Sequence, residues 1–473
     1  MNKKNKYYQL IFNTVLFALG NVGSKFLVFI LMPLYTNELS TAEYGVSELV
    51  LTGTNLLIPF VSVSIQDATL RFALDKKNDS GEVLKNTILI LSVGSGITCL
   101  LYPFIGLYRA IAEWKLCFVL ITIVYMIRNA LSVYLKSIDK TKLFAIDSIL
   151  YTLYLMILNI VFLSVLKLGL IGYFAAIIIS STVSIIQLLF WGNVLKKCRV
   201  SKINKELLKE MLIFSAPMIL NNVSWWVINS SDKVMIEHYA STSASGIYSV
   251  AAKIPSIIIT LTTIFNQAWI ISSVTEYDNS KDGKFFSRIF NVFNCMLVIA
   301  SSVIVLIIKP FMAIYVGNAF VDCWVYVPFL LLGSIFQSYA TFFGAIYTSA
   351  KKNFSVMMTT ITAAIINIVL NMLLIPRIGI QGAVLATAVA YFVVFVFRMI
   401  DSQKYVRFTI DYKSVVTSVI LLSLECWLAI NLHDNFSYIT SMIILLMIII
   451  IYSKTLLVCA KTFLNKHHFT TFS

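Results

Sequence analysis

The sequence predicts an all-α protein that crosses a membrane about fourteen times, and three observations carry that expectation. The 473 residues are 59% hydrophobic and only 12% charged, with a mean hydropathy of +0.86, whereas soluble domains carry about 25% charged residues. Apolar runs of about twenty residues, the length that crosses the hydrocarbon core as a helix, recur along the whole chain. Basic residues gather between alternate runs, as membrane orientation demands. No polar stretch is long enough to fold alone. The seven cysteines mostly lie within apolar runs and show neither CxxC nor His-paired spacing, which argues against disulfides and metal sites.

In order, the predicted spans are 10–34, 43–66, 84–107, 115–135, 143–166, 170–192 and 211–232, then 246–270, 286–308, 323–349, 355–375, 379–400, 412–432 and 437–460. The first follows Lys3, Lys4 and Lys6 as a signal peptide would. Its apolar run is about 25 residues and lacks a small-residue cleavage site, so it reads as an uncleaved helix. With both termini cytoplasmic, the inside segments hold 28 of the 37 basic residues. The outside segments hold Arg109, Lys115, Lys167, Lys233, Lys309 and Arg377. One miscounted helix would scramble this bias. The net charge of +15 is therefore an orientation signal with a secondary attraction to anionic lipid. Cations spread over many short loops are not a nucleic-acid patch.

The chain also repeats itself. Shifted by 201 residues, LYTNELSTAEYGVS (34–47) lies over MIEHYASTSASGIY (235–248), pairing Thr41 with Thr242 and Gly45 with Gly246. Gln66 then meets Gln267. NIVFLSVLKLGLIGYFAA (159–176) likewise resembles NIVLNMLLIPRIGIQGAVLA (367–386). The expected organisation is an N-lobe of six spans (1–195), a basic and helical cytoplasmic connector (196–210), a C-lobe of six spans (211–403) and a final pair of spans with the tail (404–473). Six spans is an even number, so the lobes are parallel repeats about an axis along the membrane normal. The last pair reads as a lipid-facing appendix of Ile, Leu, Val, Met and Ser.

The hairpin YTNELSTAEYGVSELV (35–50), the stretches SSDKVMIEHY (230–239) and GIYSVAAKIPSI (246–257), and NIVLNMLLIPRIGIQGAVLATAVAY (367–391) resemble the Wzx-type O-antigen flippases, polysaccharide export proteins of the MOP (multidrug/oligosaccharidyl-lipid/polysaccharide) exporter superfamily. The resemblance covers essentially the whole chain, and its motifs are structural turns that specify the sugar poorly. It implies two MATE-like six-helix lobes facing a central cavity, plus two extra helices. It also implies a cargo of undecaprenyl-pyrophosphate-linked oligosaccharide, of O-antigen or capsule type, moved to the outer leaflet of a bacterial inner membrane. Partners would be that glycan, membrane lipids, and the polymerase and other assembly proteins.

Three cations fall inside the predicted spans: Lys25, Arg128 and Lys253. An intramembrane charge must face a wet cavity or a partner. Lys25 and Lys253 are candidates for a headgroup clamp, because buried cations offset the desolvation of a pyrophosphate by charge-assisted hydrogen bonds. The resemblance implies the same, since related lipid II flippases place basic residues in a central cavity. Alternatively Lys253 snorkels to the interface and Lys25 bonds Asn21. Arg128 either faces the cavity or pairs with Asp147 or Asp139. Asn21 and Lys25 share a helix face. In NNVSWWVINSSDK (221–233), Asn222, Trp226, Asn229 and Lys233 form one stripe, with Asn221, Trp225 and Asp232 on the next. Amides and indoles suit a sugar; they also pack helices and mark interfaces. Tyr35 and Tyr44 at the first outer hairpin are candidates for the outer gate, and Asp67 with Arg71, four apart, for an ion pair at the inner gate. Pro59 and Pro255 are candidate hinges.

No DxD, HExxH, GxSxG or Walker pattern is present, and no outer loop exceeds about fifteen residues, so an enzyme is not expected. The closer rival is a MATE-like H⁺- or Na⁺-coupled multidrug antiporter, which would use intramembrane carboxylates; those read here, Asp67, Asp147, Asp232 and Glu237, stand near span ends. No cofactor is expected, and the coupling ion, H⁺ or Na⁺, is left open.

Overall fold

The computed structural model describes residues 29–75, 77–194, 196, 201–279 and 283–458. Every regular element among them is helical. By contact the chain forms two compact units, Met1–Gly246 and Ile247–Ser473.

The first unit contains α1 (29–38), α2 (Thr41–Val61), α3 (Ile65–Leu74), α4 (Ser80–Leu100), the single turn α5 (Tyr102–Ile105), α6 (Lys115–Ser137), α7 (Thr141–Asn159), α8 (Gly169–Trp191) and α9 (Lys205–Tyr239). A 3₁₀ stretch, Arg109–Trp114, leads into α6, and a π-helical turn, Ile160–Val165, extends α7. α10 (Thr242–Ala251) crosses from the first unit to the second. The second unit then holds α11 (Pro255–Asn279), α12 (Gly283–Tyr315), α13 (Val327–Ser349), α14 (Asn353–Ile378), α15 (Ile380–Asp401), α16 (Tyr412–Asn431) and α17 (Asp434–Ile451).

Twelve of these helical stretches are long and apolar enough to cross a membrane, and they fall on the second to thirteenth predicted spans. The first predicted span lies mostly outside the described residues. The fourteenth corresponds to α17, whose apolar part, Asn435–Ile451, is shorter. The chain is thus a multi-pass membrane protein.

Local chemistry sets the helix ends. Ser40 caps α2 with a reciprocal box: its hydroxyl accepts from Glu43 N at 3.2 Å, and Ser40 N donates to Glu43 Oε2 at 2.9 Å. Ser241, the residue 201 positions on, caps α10 by accepting from Ala244 N at 3.1 Å. Of the connector, expected to be helical, the described residues 201–204 are not helical and the helix begins at Lys205. Lys85 Nζ donates to Ser201 O at 2.8 Å, Asn86 to Asn204 O at 2.9 Å, and Asn204 to Glu82 at 2.8 Å, which ties 201–204 to α4. Asn204 also caps α9. That helix runs 35 residues, about 52 Å, so it outlasts the hydrocarbon layer.

Two spans read as continuous are broken. After Pro59 the second span stops at Val61, and Val63 and Ser64 take left-handed φ angles of 51° and 49° before α3 begins. Left-handed backbone is strained for a β-branched valine. The eighth span stops at Ala251 and restarts at Pro255. Pro255 opens α11, where its missing N–H costs nothing, instead of kinking a helix interior.

In the first unit, Ile58, Val61, Ile65, Val83, Leu91, Met126, Leu207 and Met211 join α2, α3, α4, α6 and α9 in one apolar core. In the second, Trp269 stacks on Phe342 at 4.4 Å and donates from Nε1 to its carbonyl at 3.0 Å, fastening α11 to α13.

The last pair is joined to the rest of the second unit along one face. α16 and α17 pack on α12: Ile444, Ile448 and Tyr452 meet Cys295 and Val298, with Leu421 and Leu428 of α16 packed against them. Within that contact Asn294, itself 0% exposed, donates to Tyr452 Oη at 2.5 Å and accepts from Tyr339 Oη. Ser418 reaches the same Tyr452 hydroxyl at 2.9 Å.

Candidate functional site

Three sets of polar groups within the spans of the first unit bear on the residues singled out from the sequence. The first joins α2 to α9. Glu48 is buried; Tyr44 Oη donates to its Oε1 at 3.0 Å and Lys233 Nζ to its Oε2 at 2.6 Å. Tyr35 and Tyr173 meet edge to face at 5.1 Å beside Tyr44. Tyr35 and Tyr44 are packed inside the protein, at 5% and 1% exposed. Burial of these rings requires hydroxyl partners, and Glu48 supplies one. Lys233 belongs to this pair, not to an outer loop.

The second set joins α6, α7 and α8. Arg128 Nη2 lies 3.1 Å from Asp147 Oδ2, and its Nε donates to Ser184 Oγ at 2.9 Å. Ser184 Oγ in turn donates to Asp147 Oδ1 at 2.6 Å, and the guanidinium sits 3.6 Å above the Tyr151 ring. Of the two partners expected for Arg128, Asp147 is the one it meets. A cation so matched helps hold these helices together, which is the structural-pairing alternative expected for Arg128.

The third set runs along α9. Both of its polar stripes are candidates for sugar contact, and the one with Asn222 and Trp226 bonds protein. Asn222 donates to Ser64 Oγ at 3.1 Å and Asp67 Oδ2 at 3.2 Å, and Trp226 Nε1 donates to Thr52 O at 2.8 Å. The reason is packing, because α9 lies against α2 and α3 and turns this stripe toward them. Asn221, Trp225 and Asn229 are exposed instead, with Asn229 Nδ2 donating back to Trp225 O at 2.8 Å. Asn229 thus belongs with Asn221 and Trp225. The amide of Asn222, and not Arg71, is what Asp67 bonds. No ion pair joins Asp67 and Arg71 among the described residues, and Arg71 is exposed. Asn222 also pins the strained turn after Pro59 through Ser64.

Near the C-terminal end of α9, Tyr108 Oη donates to Glu237. Burial first, and then that carboxylate, hold the Tyr108 phenol above its usual range. Beside it the repeat becomes contact. A Cβ on Gly45 would stand 2.1 Å from Thr242 O, and one on Gly246 would stand 2.2 Å from Thr41 O. The same two residues of each repeat meet the same two of the other.

Lys253 lies half-buried in the turn between α10 and α11, where its carbonyl accepts from Ser256 Oγ at 2.6 Å. It is not inside a continuous helix. Lys25 and Asn21 lie outside the described residues.

Sequence reasoning gave no intramembrane role to three ionisable groups and placed a fourth, Asp147, near a span end. Glu48, Glu425 and Arg398 are buried within spans, and Asp147, read as near a span end, is 0% exposed in α7. Arg398 donates to Thr359 and Thr360 hydroxyls and to the Ala340 and Val356 carbonyls. Intramembrane carboxylates are thus present, which corrects the expectation that they stay at span ends; Glu48 and Asp147 are each matched by a cation. A lone ionisable residue in an apolar run was the available signal.

The sequence profile of the family described as "Polysaccharide biosynthesis protein" matches residues 10–271. No curated protein matches the sequence significantly. Among solved structures the chain is similar to the lipid II flippase MurJ in an inward closed conformation, with TM-score 0.71, 13% identity, and 93% of this chain and 98% of that chain covered. It is similar to an inward-facing multidrug resistance MATE family transporter of the MOP superfamily, with TM-score 0.67, 14% identity, and 80% and 95% covered. A third similar structure is a MOP superfamily transporter from Pyrococcus furiosus, with TM-score 0.54, 17% identity, and 83% and 93% covered. At such identities the likeness is one of fold.

Proposed function

This chain belongs to the polysaccharide biosynthesis protein family, and from that premise we propose that it is a flippase for undecaprenyl-pyrophosphate-linked oligosaccharide. The family match over 10–271, together with a MOP-type helical fold, carries this reading. The proposed cargo is an O-antigen- or capsule-type repeat unit, moved by alternating access from the cytoplasmic to the outer leaflet of a bacterial inner membrane. Both termini are cytoplasmic in this reading, and polymerase and other assembly proteins act on the delivered unit.

The exposed face of α9 supports a sugar-bearing cargo. Amides are costly against acyl chains, whereas Asn221, Asn229 and the Trp225 indole together offer hydrogen bonds and a stacking surface to a glycan. In this reading Lys25 and Lys253 escort the pyrophosphate. Arg128, neutralised by Asp147, holds α6 to α7 and α8. Opening at the outer side would require the Glu48–Lys233 pair and the Tyr108–Glu237 bond to part, while the turns after Pro59 and before Pro255 absorb the change in backbone direction.

The test is export by a flippase-null bacterium carrying this protein. The wild-type chain should restore surface glycan; Lys25→Ala and Lys253→Ala should abolish it, and the Arg versions should partly restore it. Equal export from Ala and Arg would remove the clamp. The buried carboxylates keep one second reading in play, a multidrug antiporter. Under the flippase reading, overexpression leaves resistance to cationic dyes unchanged; raised resistance without glycan export would favour the antiporter.

A further inference from the structure

The interior of α16 carries a carboxyl group that none of the contacts assigned above employs. Glu425 is 0% exposed. Ser302 Oγ on α12 lies 2.6 Å from its Oε2, while its Oε1, also buried, has no hydrogen-bond partner. No cation lies within ion-pair distance among the described residues.

The helices packed on α16 are α12, α13 and α17, and none brings compensation. α13 contains no Asp, Glu, Lys, Arg or His; its titratable groups are Tyr339, committed to Asn294, and Tyr347, committed to Asp401. On α12 the charged residue nearest in sequence is Lys309, about 10 Å beyond Ser302 along the axis, and its ammonium lies 5.2 Å over Trp324. Lys284 and Arg288 are farther along the same helix. α17 contributes no described charged side chain, and Tyr452 beyond it bonds Asn294 and Ser418. Next to Glu425, the Cys426 thiol donates to Pro328 O at 3.4 Å.

A carboxylate in a membrane span with one hydroxyl donor and no counter-charge bears an uncompensated burial cost; the neutral acid does not. The acid form also fits the geometry. Its O–H can donate to Ser302, and a carbonyl-like Oε1 is the cheaper oxygen to leave bare.

We propose that Glu425 is a reversible proton-binding site outside the duplicated body, protonated in the arrangement described here. Deprotonation transfers that one proton to water when the contact between α12 and α16 opens, and no other reactant is consumed. Proton release there couples to transport; this second half rests on the flippase reading, and the first does not.

The test uses the full-length protein in proteoliposomes. Infrared spectra of the wild type should contain a carboxylic-acid carbonyl band at neutral pH that Glu425→Gln lacks, and the band should vanish reversibly as pH rises. Carbodiimide labelling of Glu425, which needs the acid form, should fall over the same range. Absence of an E425Q-sensitive acid band at neutral pH overturns the proton site. So does a band that persists to the highest pH at which the protein stays folded. For coupling, wild-type movement of lipid-linked oligosaccharide should respond to an imposed pH gradient, E425Q should lose the response, and Glu425→Asp should restore it. If E425Q still responds as the wild type does, the coupling is wrong and the flippase reading stands. If the wild type moves no lipid-linked cargo, the flippase reading fails and takes the coupling with it, while the spectra still decide the proton site.

Discussion

Removing Lys233 tests whether the α2–α9 contact is a buried ion pair. At 2.6 Å and an effective dielectric of about 20, the Coulomb attraction is about 6 kcal/mol. Much of that offsets the desolvation of two side chains that are 7% and 16% exposed. Breaking such a pair from one side costs about 3–5 kcal/mol, because a charge is left buried without its match. Lys233→Met and Glu48→Gln should each destabilise the purified protein by that amount in denaturant titrations in detergent micelles. The double variant K233M/E48Q, which leaves no charge behind, should be more stable than either single one. Costs below about 1 kcal/mol, the range of exposed pairs, would refute the argument, as would a double variant whose cost equals the sum.

The other predictions address packing, the cargo face and caps. Gly45→Ala and Gly246→Ala place a Cβ 2.1 and 2.2 Å from backbone carbonyls and should each cost about 1–3 kcal/mol or more. Gly96→Ala in α4, with nothing within 4 Å, should be neutral or stabilising by up to about 1 kcal/mol; thermal unfolding compares the three. Asn229→Ala and Trp225→Ala should reduce glycan export at unchanged stability, whereas Asn222→Ala and Trp226→Phe should lower stability, as read by melting beside surface-glycan immunoblots. Asp411, held below the usual carboxylate range by the Ser414 hydroxyl and backbone, caps α16. Its contribution is present above the ordinary carboxylate pKa and lost as pH falls through the lowered one. Asp411→Ala should cost about 1 kcal/mol at neutral pH and less in acid, by the same titration.

Much of the fold was legible because hydrophobicity and length act over twenty residues at once. The second to thirteenth spans follow from that average alone. The breaks at 62–64 and 252–254 do not, because hydropathy is blind to φ; Pro59 and Pro255 marked the neighbourhoods without marking the turns. Single charges were lost for the same reason. Glu425 barely lowers the mean of Ile, Leu and Ser around it, so a span read as greasy hides an acid. The partners of buried charges were beyond reach where they lie far apart in sequence, Glu48 from Lys233 and Ser302 from Glu425. Arg128 and Asp147 are on neighbouring spans, and there the pairing was named. On α9 periodicity drew two polar stripes, but only the packing of α2 and α3 decides which is covered.

The crossed contact of Gly45 with Thr242 and Gly246 with Thr41 has the form of a two-fold homodimer interface written into one polypeptide. In a true dimer one codon would serve both sites, and every change would strike twice. Here each glycine is encoded separately, so the two sites are free to diverge. A Cβ at position 45 meets Thr242 first, whereas one at 246 meets Thr41 and then the Gly45 backbone at 3.0 and 3.2 Å, so the two sites touch while each answers first to a different threonine. Duplication and fusion thus turn an obligatory symmetry into two adjoining latches, either of which can change without the same change being forced on the other.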